Sequence, residues 1–427
     1  MKKTKYVLFV MIMALAITGC KKTKKEEQEK PFVPGLDTQT ACKISVKGHY
    51  DNFEALVEQI DNFNKYYPNV EITYQKVDDY AKENVINALF SGDAAPDIYF
   101  INNSWETDPK YKNYFDHAED LSDASTGIDL SAVREGLIYK DAGGHVPFVP
   151  IFTNSFGMIV NEDIFFKNNL SIPKTYMELI DVCNSLISLG YESPIMSYKG
   201  YLYSLYFPYF LSTINGNKTA VDALNTLESS AGTYLRQGLE KAEDFDNYHF
   251  IDKTKCTEEI AKDNTDSICF RFYKGDVPMM FTEVNRLSGS HKREASSEEY
   301  QKNPFKYSFQ PIPTTENGGY FFNTITLSFA VNKDSKNLAM SNEFMRFLIR
   351  SQSLNEMNSS KRQISPARKL GDDKLFNSFK DVLSNNRVLY SYVVGLSLAA
   401  DTQARKTFDA FFSGASIDEA IAKYGQY

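Results

Sequence analysis

The chain has 427 residues, 42% of them hydrophobic and 24% charged, with a formal net charge of −8. That length allows two or three domains of about 150 residues each, and the composition supports buried cores and excludes a disordered chain. The acidic balance, with no basic stripe interleaved with aromatics after the N-terminal region, excludes a general nucleic-acid binder.

Lys2, Lys3 and Lys5 precede an apolar run from Tyr6 to Ile17 that falls short of a membrane span. The run closes in Ile17-Thr18-Gly19-Cys20. This resembles the bacterial lipobox of an aliphatic residue, a small residue, Gly or Ala, and Cys. The resemblance implies a signal peptide over 1–19, cleavage before Cys20 and a lipid on Cys20. Residues 20–42, which include KKTKKEEQEK, cannot build a core and read as a flexible, lipid-anchored linker. Cys42, Cys183, Cys256 and Cys269 remain in the mature chain. Export permits disulfides. Cys256 and Cys269 are near enough in sequence for a local bridge, Cys183 sits on an apolar helix face, and three pairings stay open.

Lys43 to His49 alternates as a strand, and Phe53, Leu56, Val57, Ile60 and Phe63 follow at helical spacing, with Asp51 or Asn52 as N-cap. Pro68-Asn69 turns into a strand from Val70 to Gln75. A helix carrying Val85, Ile86, Leu89 and Phe90 leads to a third strand, Asp97 to Ile101. This β-α-β-α-β order predicts a parallel sheet covered by helices. Ligands of such sheets bind beyond the carboxyl ends of the strands. The loops His49-Tyr50-Asp51-Asn52 and Asn102-Asn103-Ser104-Trp105-Glu106 are therefore candidate site loops.

Val146 to Val160 is a β-rich run ending in Asn161-Glu162-Asp163 and a short helix. Thr175 and Glu178 form a capping box for a second helix, which Gly190 stops. Residues 201–211, YLYSLYFPYFL, are dense in aromatics, and Leu224 to Phe245 reads as two helical segments around Gly232. Thr282-Glu283-Val284-Asn285-Arg286 follows a helix-to-strand turn. Residues 306–313 read as a strand, Gly318-Gly319 as a turn, Ile325 to Val331 as a strand, and the last sixty residues as helical. Ser416 and Glu419 cap the terminal helix.

Five stretches together resemble the family 1 extracellular solute-binding proteins of ABC importers, which include the maltose- and multiple-sugar-binding proteins. They are Phe63-Asn64-x-x-Tyr67-Pro68-Asn69-Val70; Gly92-x-x-x-Pro96-Asp97-Ile98; Val160-Asn161-Glu162-Asp163 with Leu170, Pro173, Thr175-Tyr176 and Glu178-Leu179; Phe272-x-x-Gly275 with Met279-Met280; and the strand, Asn332 to Ser335, helix and Ser365-Pro366 run. Val160 and Tyr176 stand where the family has Tyr and Trp, and Pro278 where it has Ala. The resemblance covers most of residues 43–427. It implies an α/β fold of two lobes, each a mostly parallel sheet flanked by helices, with a hinge between them. Lobe 1 would hold 43–152 and 324–366, and lobe 2 would hold 153–323 and 367–427.

The resemblance further implies a lipid-anchored, extracytoplasmic, monomeric protein on the outer face of the cytoplasmic membrane or in the periplasm. It would capture a solute by hinge closure and deliver it to the permease subunits of an ABC transporter. In sugar-binding members, the regions of Tyr206 and Tyr209 and of Tyr390 and Tyr392 supply cleft aromatics. A saccharide presents C–H faces to aromatic rings and hydroxyls to amides and carboxylates. The expected ligand contacts are therefore Tyr50, Asp51, Asn52, Asn103, Trp105, Tyr206, Tyr209, Glu283, Asn285, Arg286, Tyr390 and Tyr392.

A surface glycoside hydrolase would need two carboxylates across one bond, and no pair stands out. A glycan-binding adhesin would lack a closable cleft. No Walker A, dinucleotide, nucleophile-elbow or zinc spacing is present, so no enzyme activity, metal or cofactor is expected. Cys20→Ser is expected to move the protein out of the membrane fraction or leave it uncleaved, read by fractionation and the mass of the mature chain.

Overall fold

The computed structural model describes residues 29–51, 53–102, 105, 108–197, 208–252, 265–286, 290–371, 374–385, 387–390 and 395–427. The chain forms two compact units, 1–33 and 34–427. Residues 29–33 of the first adopt neither helix nor strand, and Cys20 lies outside the described residues.

The second unit is built on a ten-stranded sheet. Its strands are β1 (Cys42–Gly48), β2 (Val70–Lys76), β3 (Ile98–Ile101), β4 (Val149–Asn161), β5 (Ile195–Met196), β6 (Met279–Glu283), β7 (Tyr307–Gln310), β8 (Ile312–Thr315), β9 (Gly318–Val331) and β10 (Val388–Tyr390). The main path runs β2-β1-β3-β9-β4-β6-β5. β1 pairs in parallel with β2 and β3, as the β-α-β-α-β order predicts. Ile44 and Val46 of β1 are buried while Lys43 points outward, and the edge strand β2 alternates the same way. β9 then closes this parallel set antiparallel to β3. On the far side β6 is antiparallel to β4 and parallel to β5.

β4 and β9 are the long elements. All thirteen residues of β4 are buried, and β4 lies between β6 on one side and β9, followed by β7, on the other. A continuous apolar run is what burial on both faces requires. The β4–β9 register slips at Pro150, Phe152 and Thr153. Such bulges leave backbone groups without a ladder partner. Here the Asn358 amide donates to the Ile151 carbonyl at 2.9 Å and the Thr153 hydroxyl to the Ile364 carbonyl at 2.6 Å.

Several expected elements form. Thr175 and Glu178, and Ser416 and Glu419, make complete capping boxes. Gly190 follows the first of these helices with φ +95°, a conformation suited to glycine. Around Gly232 lies a 3-10 turn, Ser229–Leu235, between the helices Lys218–Asn225 and Arg236–Asn247. Other expectations are corrected. The helix Glu54–Asn64 begins with Phe53 at its N-cap and no side-chain cap bond, because the Asp51 carboxylate pairs with Lys76 at 2.5 Å. β9 is one strand from Gly318, since Phe321 to Asn323 pair with β10; β10 itself interrupts the expected helical C-terminus. Cys42 and Cys183 are free thiols. The Cys269 thiol donates to the Arg286 carbonyl at 3.1 Å; Cys256, the partner that sequence spacing allowed for it, lies outside the described residues.

Two carboxylates tie several of the quoted stretches together. Asp97 accepts from the Ser45 amide (2.7 Å) and hydroxyl (3.0 Å), the Ser335 hydroxyl (2.5 Å) and the Asn337 amide (3.3 Å). It thereby joins β1 and the entry to β3 to the turn after β9. Glu343 accepts from the Gly35 amide (2.7 Å), the Tyr67 hydroxyl (2.5 Å) and an Arg346 fork at 2.8 and 2.7 Å. Burial pushes the Glu343 carboxyl up, but these four donors outweigh it and hold it below the ordinary glutamate range.

A folded-state carboxyl held low contributes stability above its unfolded pKa and loses it as pH falls through the folded value. Glu343→Gln is therefore expected to cost about 1–3 kcal/mol at neutral pH. The gap to the unsubstituted protein should shrink below about pH 4.5. Urea denaturation at neutral and acid pH measures both gaps, and equal gaps would contradict the assignment.

Candidate functional site

The carboxyl ends of β1 and β3 carry a wall of aromatic rings. β1 ends at Gly48, where an added Cβ would collide with the Phe100 ring, so the backbone runs directly over that side chain. His49 and Tyr50 follow, with ring centroids 4.5 Å apart, and Tyr50 meets the edge of Phe100 at 5.5 Å. Past β3, Trp105 stacks on Tyr111 at 4.4 Å and 11° and lies 5.3 Å from Tyr114 and 6.2 Å from Tyr80. Tyr80 is held by its hydroxyl, which donates to the Phe100 carbonyl at 2.8 Å. Tyr111 thus backs one face of the indole, while Trp105 stays partly exposed. Burial pushes the His49 imidazole below its ordinary pKa and the Tyr50 phenol above its own. Both side chains are neutral near pH 7 and available as neutral hydrogen-bonding groups.

The wall reaches β4 through Phe53, whose ring meets Phe152 edge-on at 5.6 Å. Two residues further on, a buried polar chain begins. The Asn154 amide donates to Glu283 at the end of β6, and Arg286 lies 3.5 Å from the same carboxylate. Across β4, the Asn323 amide of β9 donates to the Asn154 carbonyl at 3.1 Å and to the Ser155 hydroxyl. Its oxygen accepts from Arg134 at 3.0 Å.

Arg134 is 3% exposed. It also donates to the Ser365 and Ala367 carbonyls and lies over the Phe379 ring at 5.3 Å. Among the described residues, carbonyl oxygens and a ring rather than a carboxylate balance this guanidinium. The chain of contacts runs from Arg134 through Asn323 and Asn154 to Glu283 and Arg286, along the middle of the two longest strands. Arg286 is partly exposed, while Glu283, Asn154 and Asn323 are buried; together they hold the donor and acceptor groups that pair with hydroxyls.

The structure brings some expected residues together and separates others. Tyr50 and Trp105 belong to the aromatic wall, and Glu283 and Arg286 to the polar chain. Asn285 shares their turn, Val284–Arg286, with its side chain outside the description. Asn52, Asn103, Tyr206 and Tyr392 lie outside the described residues.

Asp51 is exposed and pairs with Lys76, which also pairs with Asp78. Two expectations are corrected. Tyr209 is fully buried in the hydrophobic core, with its ring against Tyr176 and Phe245, because its helix turns that face inward. Tyr390 is 8% exposed. It pairs with Asn323 in the sheet and packs so tightly on Gly136 that no Cβ would fit there, so it supports the polar chain from beneath.

Sequence reasoning missed Asn154, Asn323 and Arg134. The signal lay in polar residues inside apolar strands, Thr153-Asn154-Ser155 and Phe322-Asn323-Thr324.

Residues 45–353 match the bacterial extracellular solute-binding protein family. The chain belongs to this family. No curated protein matches it in sequence.

Solved structures of solute-binding proteins share the fold. RafE from Streptococcus pneumoniae, in its apo form, superposes with a TM-score of 0.67 at 16% identity, covering 92% of this chain and 99% of RafE. A complex of RafE with raffinose gives 0.59 at 15% identity, covering 90% and 99%. The sugar-binding protein MalE from Xanthomonas citri gives 0.67 at 16% identity, covering 90% and 96%. A Bacillus licheniformis sugar transporter in complex with stachyose gives 0.56 at 16% identity, covering 90% and 98%. At such identities the likeness is one of fold, the two-lobed α/β fold of binding proteins. No helix among the described residues is long and apolar enough to cross a membrane, and no group of side chains among them is arranged to hold a metal ion.

The polar chain makes a stability prediction. Asn323→Ala removes the acceptor of a buried guanidinium and both amide donors. The expected loss is about 2–4 kcal/mol, because charged and buried partners are left unsatisfied. Urea denaturation measures it, and a loss within about 0.5 kcal/mol, as at ordinary surface positions, would contradict the network.

Proposed function

We propose that this solute-binding protein captures a saccharide between the aromatic wall after β1 and β3 and the polar chain at the end of β6, and passes it to an ABC importer. The observation that carries the reading is this pairing of chemistries. Rings at two strand ends offer faces for sugar C–H groups, and a carboxylate, a guanidinium and amides offer partners for hydroxyls. The raffinose complex of RafE and the stachyose complex of the Bacillus licheniformis relative support an oligosaccharide as the ligand class. Tyr50, Trp105, Glu283 and Arg286 are the described contacts we assign, with Asn52, Asn103, Tyr206, Asn285 and Tyr392 as further candidates.

Lobe 1 comprises 43–152 and 324–366, and lobe 2 comprises 153–323 and 367–427. Closure about the β4–β9 crossing is driven by the contacts the ligand gains in the closed state. The lipid on Cys20 tethers the protein at the outer face of the membrane, where it meets the permease. The role is binding for transport, with the sugar released unchanged.

Raffinose-type oligosaccharides are expected to raise the unfolding midpoint, by about 2.7 kcal/mol of stability at one hundred times the dissociation constant. They should also shift the emission of Trp105, the one tryptophan in the chain, and reduce the radius of gyration. Trp105→Ala should weaken binding by about tenfold to a hundredfold, or about 1.4–2.8 kcal/mol, while the fold is retained. Unaltered emission at saturation together with an unaltered dissociation constant in the alanine variant would remove Trp105 from the site. Hydrolysis of the sugar would overturn the transport reading.

A further inference from the structure

One dipeptide reaches both site-bearing elements. Lys361 and Arg362 follow the helix Ser351–Ser360. Arg362 has φ +50°, a backbone conformation that L side chains rarely adopt. A glycine or asparagine would suit this position better, so the arginine is there for its side chain.

That side chain lies against the helix Ser290–Ser296, which follows the Glu283–Arg286 turn of the polar chain. Its guanidinium contacts the Ser290 hydroxyl, the Glu294 carboxylate at 3.0 Å and the Tyr307 hydroxyl at 3.5 Å. The Tyr307 hydroxyl donates to the same Glu294 carboxylate. Glu294 is 18% exposed and Arg362 32% exposed, so solvent screens this pair less than a surface one.

Lys361, the neighbouring residue, turns the other way. Its ammonium pairs at 3.3 Å with Glu54 in the first turn of the helix that follows the His49–Phe53 loop. Lys361 and then Lys292, which lies on the Ser290–Ser296 helix itself, hold the Glu54 carboxyl below its ordinary range. Lys292 thus sets positive charge from the Ser290–Ser296 helix near the first turn of the helix Glu54–Asn64.

We infer that Arg362 forms an interlobe latch, with Lys361 fixing the dipeptide to Glu54 within the same lobe, and that these positioning residues set the sugar affinity without touching the sugar. The inference rests on the two-lobe reading above, in which Glu54 and Lys361–Arg362 belong to lobe 1, and Ser290, Glu294 and Tyr307 to lobe 2. A contact between two moving bodies that differs between the open and closed states enters the binding constant through the closure equilibrium.

Arg362→Asn suits the left-handed backbone and removes the reach, and Glu294→Gln removes the charge from the other side. Each is expected to change the raffinose dissociation constant by about fivefold or more in the same direction. The double variant should go no further than either single one, and Arg362→Lys should recover part of the effect. Ligand-free radii of gyration should shift in step with the affinities. This arm needs no sugar, so it tests the latch even if raffinose proves not to bind and the saccharide reading fails. Ser290→Ala gives the same readouts should a charge variant fold poorly. Folded variants with unchanged affinity and unchanged ligand-free radius, or charge variants whose effects simply add, would overturn the latch.

Discussion

The antiparallel pairing of β4 with β9 is the constraint on which the remaining structure depends. Every residue of β4 is buried, and β9 runs from β8 and β10 at one end to β3 at the other. The two strands carry the sheet from its parallel β1–β2–β3 portion to the β6–β5 portion. Strands buried on both faces cannot slip by one residue without turning every side chain over. The register is nevertheless interrupted at Pro150 to Thr153, where the Asn358 amide donates to the Ile151 carbonyl and the Thr153 hydroxyl donates to the Ile364 carbonyl. The crossing is therefore anchored to the helix Ser351–Ser360 and to the residues that follow it.

Placing a guanidinium, a carboxylate and two amides in the interior of such strands is costly unless each finds partners. Arg134, Asn323, Asn154 and Glu283 meet that condition as a chain. Each member then constrains the next, so the side chains at the end of β6 are positioned by residues on three other segments. The aromatic wall works by a different principle. Tyr80, Tyr111 and Tyr114 pack behind Trp105, so the indole is held by ring stacking and presents what remains of its surface. A rigid ring beside an ordered set of hydrogen-bonding groups costs little entropy when a ligand binds.

Some of this was legible in the chain. Both capping boxes, the β-α-β-α-β opening and the long strand near 149–161 follow from local patterns, and all form. Trp105 was placed at a strand end by the connectivity alone. Asp51 was misread because its spacing suits an N-cap, whereas a lysine on the neighbouring strand takes it. Tyr209 was misread because the aromatic-rich segment 201–211 offers several rings, and Tyr390 because the resemblance places a ring there; only packing decides which rings turn inward.

The sequence by itself determined the kinds of element and their order, because capping, periodicity and turn chemistry act over a few residues, and the family entered through the resemblance of five stretches. It also held the clue of polar residues inside apolar strands without saying what they meet. Tertiary structure alone decided that Arg134, Asn323, Asn154 and Glu283 form one chain, and that Lys361 and Arg362 reach two different elements. The reason is physical. These contacts join residues separated by tens to hundreds of positions, and their geometry is set by strand register and side-chain packing, which no local pattern encodes.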